Sequence, residues 1–167
     1  MKGAVMLLFR ILFCIVSGTS SGPANLIPDI MDSILAGKKT GYAEFFSREA
    51  ITDMDSMIRS NPERVETMLK YFGIDVSLEE SGITCGPELI DAVFAGDPLR
   101  MYLATLGVRA GAPLAAGGGI YVPLSWSLFG SRDTVYIRIF EEDGAWKIRD
   151  FFEVLPGASA RMRRRGE

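Results

Sequence analysis

The sequence contains no histidine and only two cysteines in 167 residues. Each shortage removes chemistry. Without histidine there is no Ser-His-Asp or Cys-His nucleophile system, and no His-ligated metal or haem. Cys14 and Cys85 are too few for a zinc knuckle or a disulfide framework. Long apolar runs are also scarce. The tract that begins at Gly3 is broken by Arg10, and the stretch Ile11-Leu12-Phe13-Cys14-Ile15-Val16 behind it is shorter than the roughly 20 residues of a membrane-spanning helix. Basic charge is missing from the body of the chain. Taking the +2 of the first twenty residues and the +3 of the last seven from the overall −3 leaves −8 between them. That balance disfavours nucleic acid as a partner, because such binding needs a basic groove or stripe. What remains is 48% hydrophobic and 23% charged, an ordinary globular composition at a length that suits one domain.

The N-terminus reads as an export signal spanning residues 1–20. Lys2 and Arg10 supply positive charge, the apolar stretch follows, and Ser17 to Gly22 are small. Met6 is an alternative start, and Gly18 or Ser20 suits a cleavage boundary. The expected location is periplasmic or extracellular, with contact to a membrane only through this segment. The alternatives are an uncleaved anchor or a buried first helix. Phe13 before Cys14 is too bulky for a lipid-attachment pattern. After cleavage Cys85 is alone, and it reads as a small buried hydrophobe.

Residues 21–28 read as a linker, 29–155 as one domain, and 156–167 as a basic disordered tail carrying four arginines. From Pro28 the apolar period is helical. Ile30, Met31, Ile34 and Leu35 share a face, and Gly37 ends the run. Tyr42 to Ile58 continue the pattern, with a break near Ser47. Asn61-Pro62-Glu63 is a helix start, and Gly73 is a left-handed terminator with Ile74 packing back. Gly86-Pro87-Glu88 starts another helix, which Gly96 stops. Tyr102 to Ala110 reads as a strand and Gly111 to Gly119 as a loose connection. The period then becomes two. Ile120, Val122, Leu124, Trp126 and Leu128 alternate with polar residues, and Pro123 suggests an edge strand or a bulge. Val135, Ile137 and Ile139 form a second strand. Asp143-Gly144 turns the chain into a third with Trp146 and Ile148. The fold class is therefore α+β, with N-terminal amphipathic helices packed on a curved antiparallel sheet formed by the C-terminal half.

The run Val135 to Phe151, with its acidic-glycine turn and Trp146-Lys147-Ile148, resembles the end of the nuclear transport factor 2-like superfamily, a cone-shaped α+β fold with exported bacterial members. The resemblance implies a core Trp146, a turn at Gly144 and an apolar space between the layers. It also implies dimerisation through the sheet in many members, and a range of functions from isomerases and epoxide hydrolases to plain binding domains.

Two function classes fit these residues. The first is a non-enzymatic exported domain, with no cofactor or metal, that binds an apolar small molecule or a protein partner. Trp126, Tyr136, Trp146 and Tyr102 are its candidate ligand-binding residues, with Phe129 as a further aromatic; plain core is the alternative for each. Met54, Met57 and Met68 read as helix-face core. The second class is a carboxylate-dependent isomerase or hydrolase. Alternation puts Asp150 on the face of Trp146 and Ile148, where burial would raise its pKa and suit it to general acid or base work. The resemblance adds an oxyanion donor, for which Tyr42 or Tyr102 is available, or an Asp-Arg-Asp set from Asp133, Arg138 and Asp150. Arg138 alternates onto the opposite face, which counts against that set. The plainer expectation is that Asp150 pairs with an arginine at the rim. Gly37-Lys38-Lys39-Thr40 lacks the spacing of a phosphate loop, and Gly117-Gly118-Gly119 lacks the context of a dinucleotide site.

Overall fold

The computed structural model describes residues 22–128, 131–152 and 155. The expected signal segment, Phe129 and the basic tail lie outside them. Among the described residues six helices come first: α1 (Leu26–Leu35), α2 (Arg48–Ser60), α3 (Pro62–Tyr71), α4 (Leu78–Ser81), α5 (Gly86–Phe94) and α6 (Asp97–Leu106), with a 3-10 turn at Tyr42–Phe45. The starts of α2, α3 and α4 are fixed by short polar side chains. Ser47 Oγ accepts from Ala50 N at 3.0 Å, and Asn61 Oδ1 accepts from Arg64 N at 3.3 Å. Ser77 and Glu80 form a reciprocal capping box. At the end of α3, Ile74 N donates to Leu69 O and Gly73 N to Lys70 O, both at 3.0 Å, which is the Schellman pairing expected of Gly73.

Two boundaries differ from the sequence reading. Helix α1 begins at Leu26, inside the expected linker. Pro28 is then third in the helix, where its missing N–H removes no intrahelical bond. The expected strand from Tyr102 to Ala110 is instead the second half of α6 and a two-residue strand. Asp97-Pro98 opens that helix with an acid and a proline in the first turn, and Gly107 ends it at φ 58°.

The sheet is open and antiparallel. Strands β1 (Arg109–Ala110) and β2 (Leu114–Ala116) lie on one side of β3 (Gly119–Leu128), followed by β4 (Ser131–Glu142) and β5 (Ala145–Phe152). Strand β3 is therefore interior, not an edge. Pro123 is tolerated because its flank meets the gap between β1 and β2, where Gly111 N donates to Pro123 O at 2.7 Å. The hairpin from β4 to β5 is the tight one expected. Asp143 and Gly144 have φ of 53° and 75°, the signature of a two-residue primed turn.

Register within that hairpin changes once. Ile139 pairs with Ile148, but Arg138 pairs with Asp150, so Arg149 is an extra residue in β5. This bulge reverses the parity of the remaining residues of the strand. Phe151 comes opposite Ile137 on the helix-facing side, and Asp150 comes opposite Arg138 on the other.

The helices cover one face of the sheet. One apolar cluster joins α1 and the Tyr42–Phe46 segment to Val122, Ile137, Ile139 and Ile148. A second is helical and centres on Val65, Leu69 and Ile83. Between them, α2 and α5 cross so closely that a Cβ on Gly86 would lie 2.8 Å from Ile51 O. The Gly86 N–H instead donates to Asp55 Oδ1 at 2.6 Å, which satisfies one free N–H of α5. Strand β5 is tied to α2 through the same short segment. Phe46 bridges Ile148, and Ser47 N donates to Ile148 O at 2.9 Å.

Candidate functional site

Where the helical layer meets the sheet, the side chains do not close the space. A cavity of about 430 Å³ lies between them. Helix α1 contributes Ile27, Ile30, Met31 and Ile34. Met54 and Met57 come from α2, Met68 comes from α3, and Phe72 is the residue that follows that helix. Helix α5 adds Val93 and Phe94 among others, α6 adds Leu99 and Leu103, and the sheet adds Leu124, Ile137, Ile148 and Phe151. Each lining position carries an aliphatic, methionine or phenylalanine side chain. The volume falls within the range of about 300–1,000 Å³ in which small-molecule pockets occur. Methionine is unbranched and polarisable, so the four in this wall can reshape it around different occupants.

The amphipathic stripes on α1, α2 and α5 place these residues, and the bulge at Arg149 completes the wall by turning Phe151 inward. Phe151 lies 6.4 Å from Phe46, which meets Phe94 edge-on at 5.4 Å. At 49% exposure Phe151 is the most exposed of the lining residues. Next to it, Arg149 is only 15% exposed and holds three carboxylates: Glu49 at 2.6 Å, Asp53 at 3.0 Å and Asp150 at 3.3 Å. The hydrogen bond from Arg149 holds Glu49 below the usual carboxylate range, and Glu49 in turn holds the guanidinium up.

The residues singled out by sequence lie apart from this wall. Asp150 does not enter the apolar space. The bulge moves it to the face of Arg138, its side chain is 39% exposed, and it contacts Arg149. Alternation alone misplaced it, and the rim pairing is what the structure shows. The same bulge brings Arg138 and Asp150 opposite each other, while Asp133 is exposed and pairs across from Trp126, five residues up the strand from Arg138. Tyr136 is on the outer face, opposite Pro123 and Phe152. Trp126 and Trp146 are half-buried, and Trp146 packs against the sheet cluster. Tyr102 is exposed on α6. None of the four aromatic candidates lines the cavity. Tyr42 is fully buried, and its hydroxyl donates to Lys38 O at 2.9 Å. Burial and the neighbouring Asp91 charge push that hydroxyl's pKa up.

Met54, Met57 and Met68 are cavity wall and not simply packed core. Sequence reasoning also missed Arg149 as an organiser and Asp91, whose carboxylate accepts from Gly41 N and Tyr42 N at 3.0 and 2.8 Å. An acid on the stripe-bearing helix α5 is the one signal that could have found the latter. Among the described residues, no three His, Cys, Asp or Glu side chains form a group that could hold a metal, and no helix is long and apolar enough to cross a membrane. Against protein-family models, characterised proteins and solved structures, the chain gives no match.

Proposed function

We propose that this chain is a non-enzymatic binding protein that holds an apolar small molecule between its helices and its sheet. The observation that carries the reading is a cavity of about 430 Å³ whose wall offers no acid, base or nucleophile. Such a wall gains from removing hydrocarbon from water, at about 25 cal/mol per Å² buried, and has nothing with which to move a proton. Asp150, the candidate for the isomerase or hydrolase reading, faces away from this space. The order of charge, apolar stretch and small residues at the N-terminus supports an exported setting for this binding. The helix-covered antiparallel sheet and the space beneath it support a cone-like architecture of the nuclear transport factor 2-like type, which we offer on the same terms.

The test is direct titration with Nile red, an uncharged dye that brightens in apolar surroundings. The wild-type protein should bind it saturably. Leu103→Trp, which adds bulk at a half-buried wall position, should abolish binding and leave the far-ultraviolet circular dichroism unchanged. Absence of saturable binding by the wild type would overturn the reading.

A further inference from the structure

Both apolar clusters of the fold border the same cavity. From the sheet side come Ile137 and Ile148, members of the cluster under α1. From the far side come Met57, Met68 and Phe72, which pack against the cluster of Val65 and Leu69. Met54 and Phe94 touch both clusters and line the cavity as well. Helix α3, which carries Met68, packs chiefly on α2 and α4. A space bordered at once by α3 and by strands β4 and β5 therefore passes through the helical layer. Neighbouring helix axes lie about 8–10 Å apart, so that passage is deeper than one side chain. A volume of about 430 Å³ drawn out over such a depth suits a narrow occupant better than a compact one.

The chemistry of the wall narrows the choice further. It is apolar along its whole course. A hydrogen-bonding group in the middle of the ligand would lose its water partners and find none in exchange. The cavity is partly open, so a polar group at one end of the ligand can stay in water. Methionines at three points of the passage, Met54, Met57 and Met68, can follow the bends of a flexible occupant. Resting on the binding function above, we propose that the ligand is a single unbranched hydrocarbon chain with one polar end, threaded between the sheet and α3.

The experiment is displacement of bound Nile red by the straight-chain primary alcohols from hexanol to tetradecanol. In the wild type each added methylene should tighten binding about fourfold. The gain should stop once the chain fills the passage, because further methylenes remain in water. Met68→Trp, which adds bulk at the α3 side, should make the series level off at a shorter chain. If that variant does not keep the wild-type far-ultraviolet circular dichroism, Phe72→Trp, a milder enlargement beside it, carries the same expectation. Dye binding with no dependence on chain length overturns the ligand class and leaves the binding function standing. A series that levels off at the same length in the variant, whether or not every member weakens equally, overturns the passage to α3. If neither the dye nor any alcohol binds, both proposals fall together.

Discussion

The two sides of the helical layer are built from the same kinds of residue and end differently. Away from the sheet, Val65 and Leu69 are fully buried among α3, α5 and the α4 segment. Toward the sheet, Ile30 and Ile137 are also buried from solvent, yet they border a void of about 430 Å³. Helices can close on helices because small residues such as Gly86 allow their backbones to approach. Between helices and sheet, side chains such as Met31, Leu124 and Phe151 line the space without filling it. Low exposure therefore does not distinguish a packed side chain from one that borders a partly open pocket.

Truncation should separate the two sides. We expect Leu69→Ala to cost about 4 kcal/mol, within the range for a fully packed leucine, and Ile30→Ala to cost about 2 kcal/mol, because one flank of Ile30 already lacks partner atoms to lose. Urea midpoints of the two variants check this. Equal losses would mean that the space under α1 closes in solution.

A smaller contrast lies in the caps. Ser47 is buried and ties α2 to β5, whereas Asn61 caps α3 at the surface. Ser47→Ala should cost about 1.5 kcal/mol and Asn61→Ala about 0.5 kcal/mol, both within the usual capping range. Thermal unfolding should rank them in that order.

The smallest effect should be electrostatic. Glu49 titrates below its ordinary 4.5 in the folded chain because of Arg149. The folded state thus binds fewer protons there than the unfolded state. The stabilisation is present above pH 4.5 and is lost as the pH falls through the lowered value. Arg149→Gln should be less stable than wild type at pH 7, and the difference should shrink on acidification. A difference that persisted at low pH would assign Arg149 a packing role instead.

Local chemistry made much of the fold legible. Asn61-Pro62, Gly73-Ile74, Gly86-Pro87 and Asp143-Gly144 each announce a start, a stop or a turn through the backbone geometry they favour. Helix α6 carries start signals at Asp97-Pro98, but its N-cap Gly96 also reads as the stop of α5, and Tyr102 to Ala110 fits a strand equally well. Asp150 was misplaced for a different reason. A bulge changes the parity of a strand without requiring any particular residue, so no pattern in Arg149-Asp150-Phe151 reveals it. The cavity was half visible. The stripes on α1, α2 and α5 were plain, but whether facing stripes touch is set by the separation of the layers, which no single segment encodes.

The attachment of Phe46 and Ser47 along β5 has a consequence beyond packing. An open sheet presents its outermost strands as templates on which other chains can polymerise. Here one border is occupied by the chain itself at Ile148, and the other is broken into pieces of two and three residues around Gly111 and Pro113. Neither border offers a long, flat ladder. Loosening the Phe46-Ser47 seam would expose the longer of the two borders first.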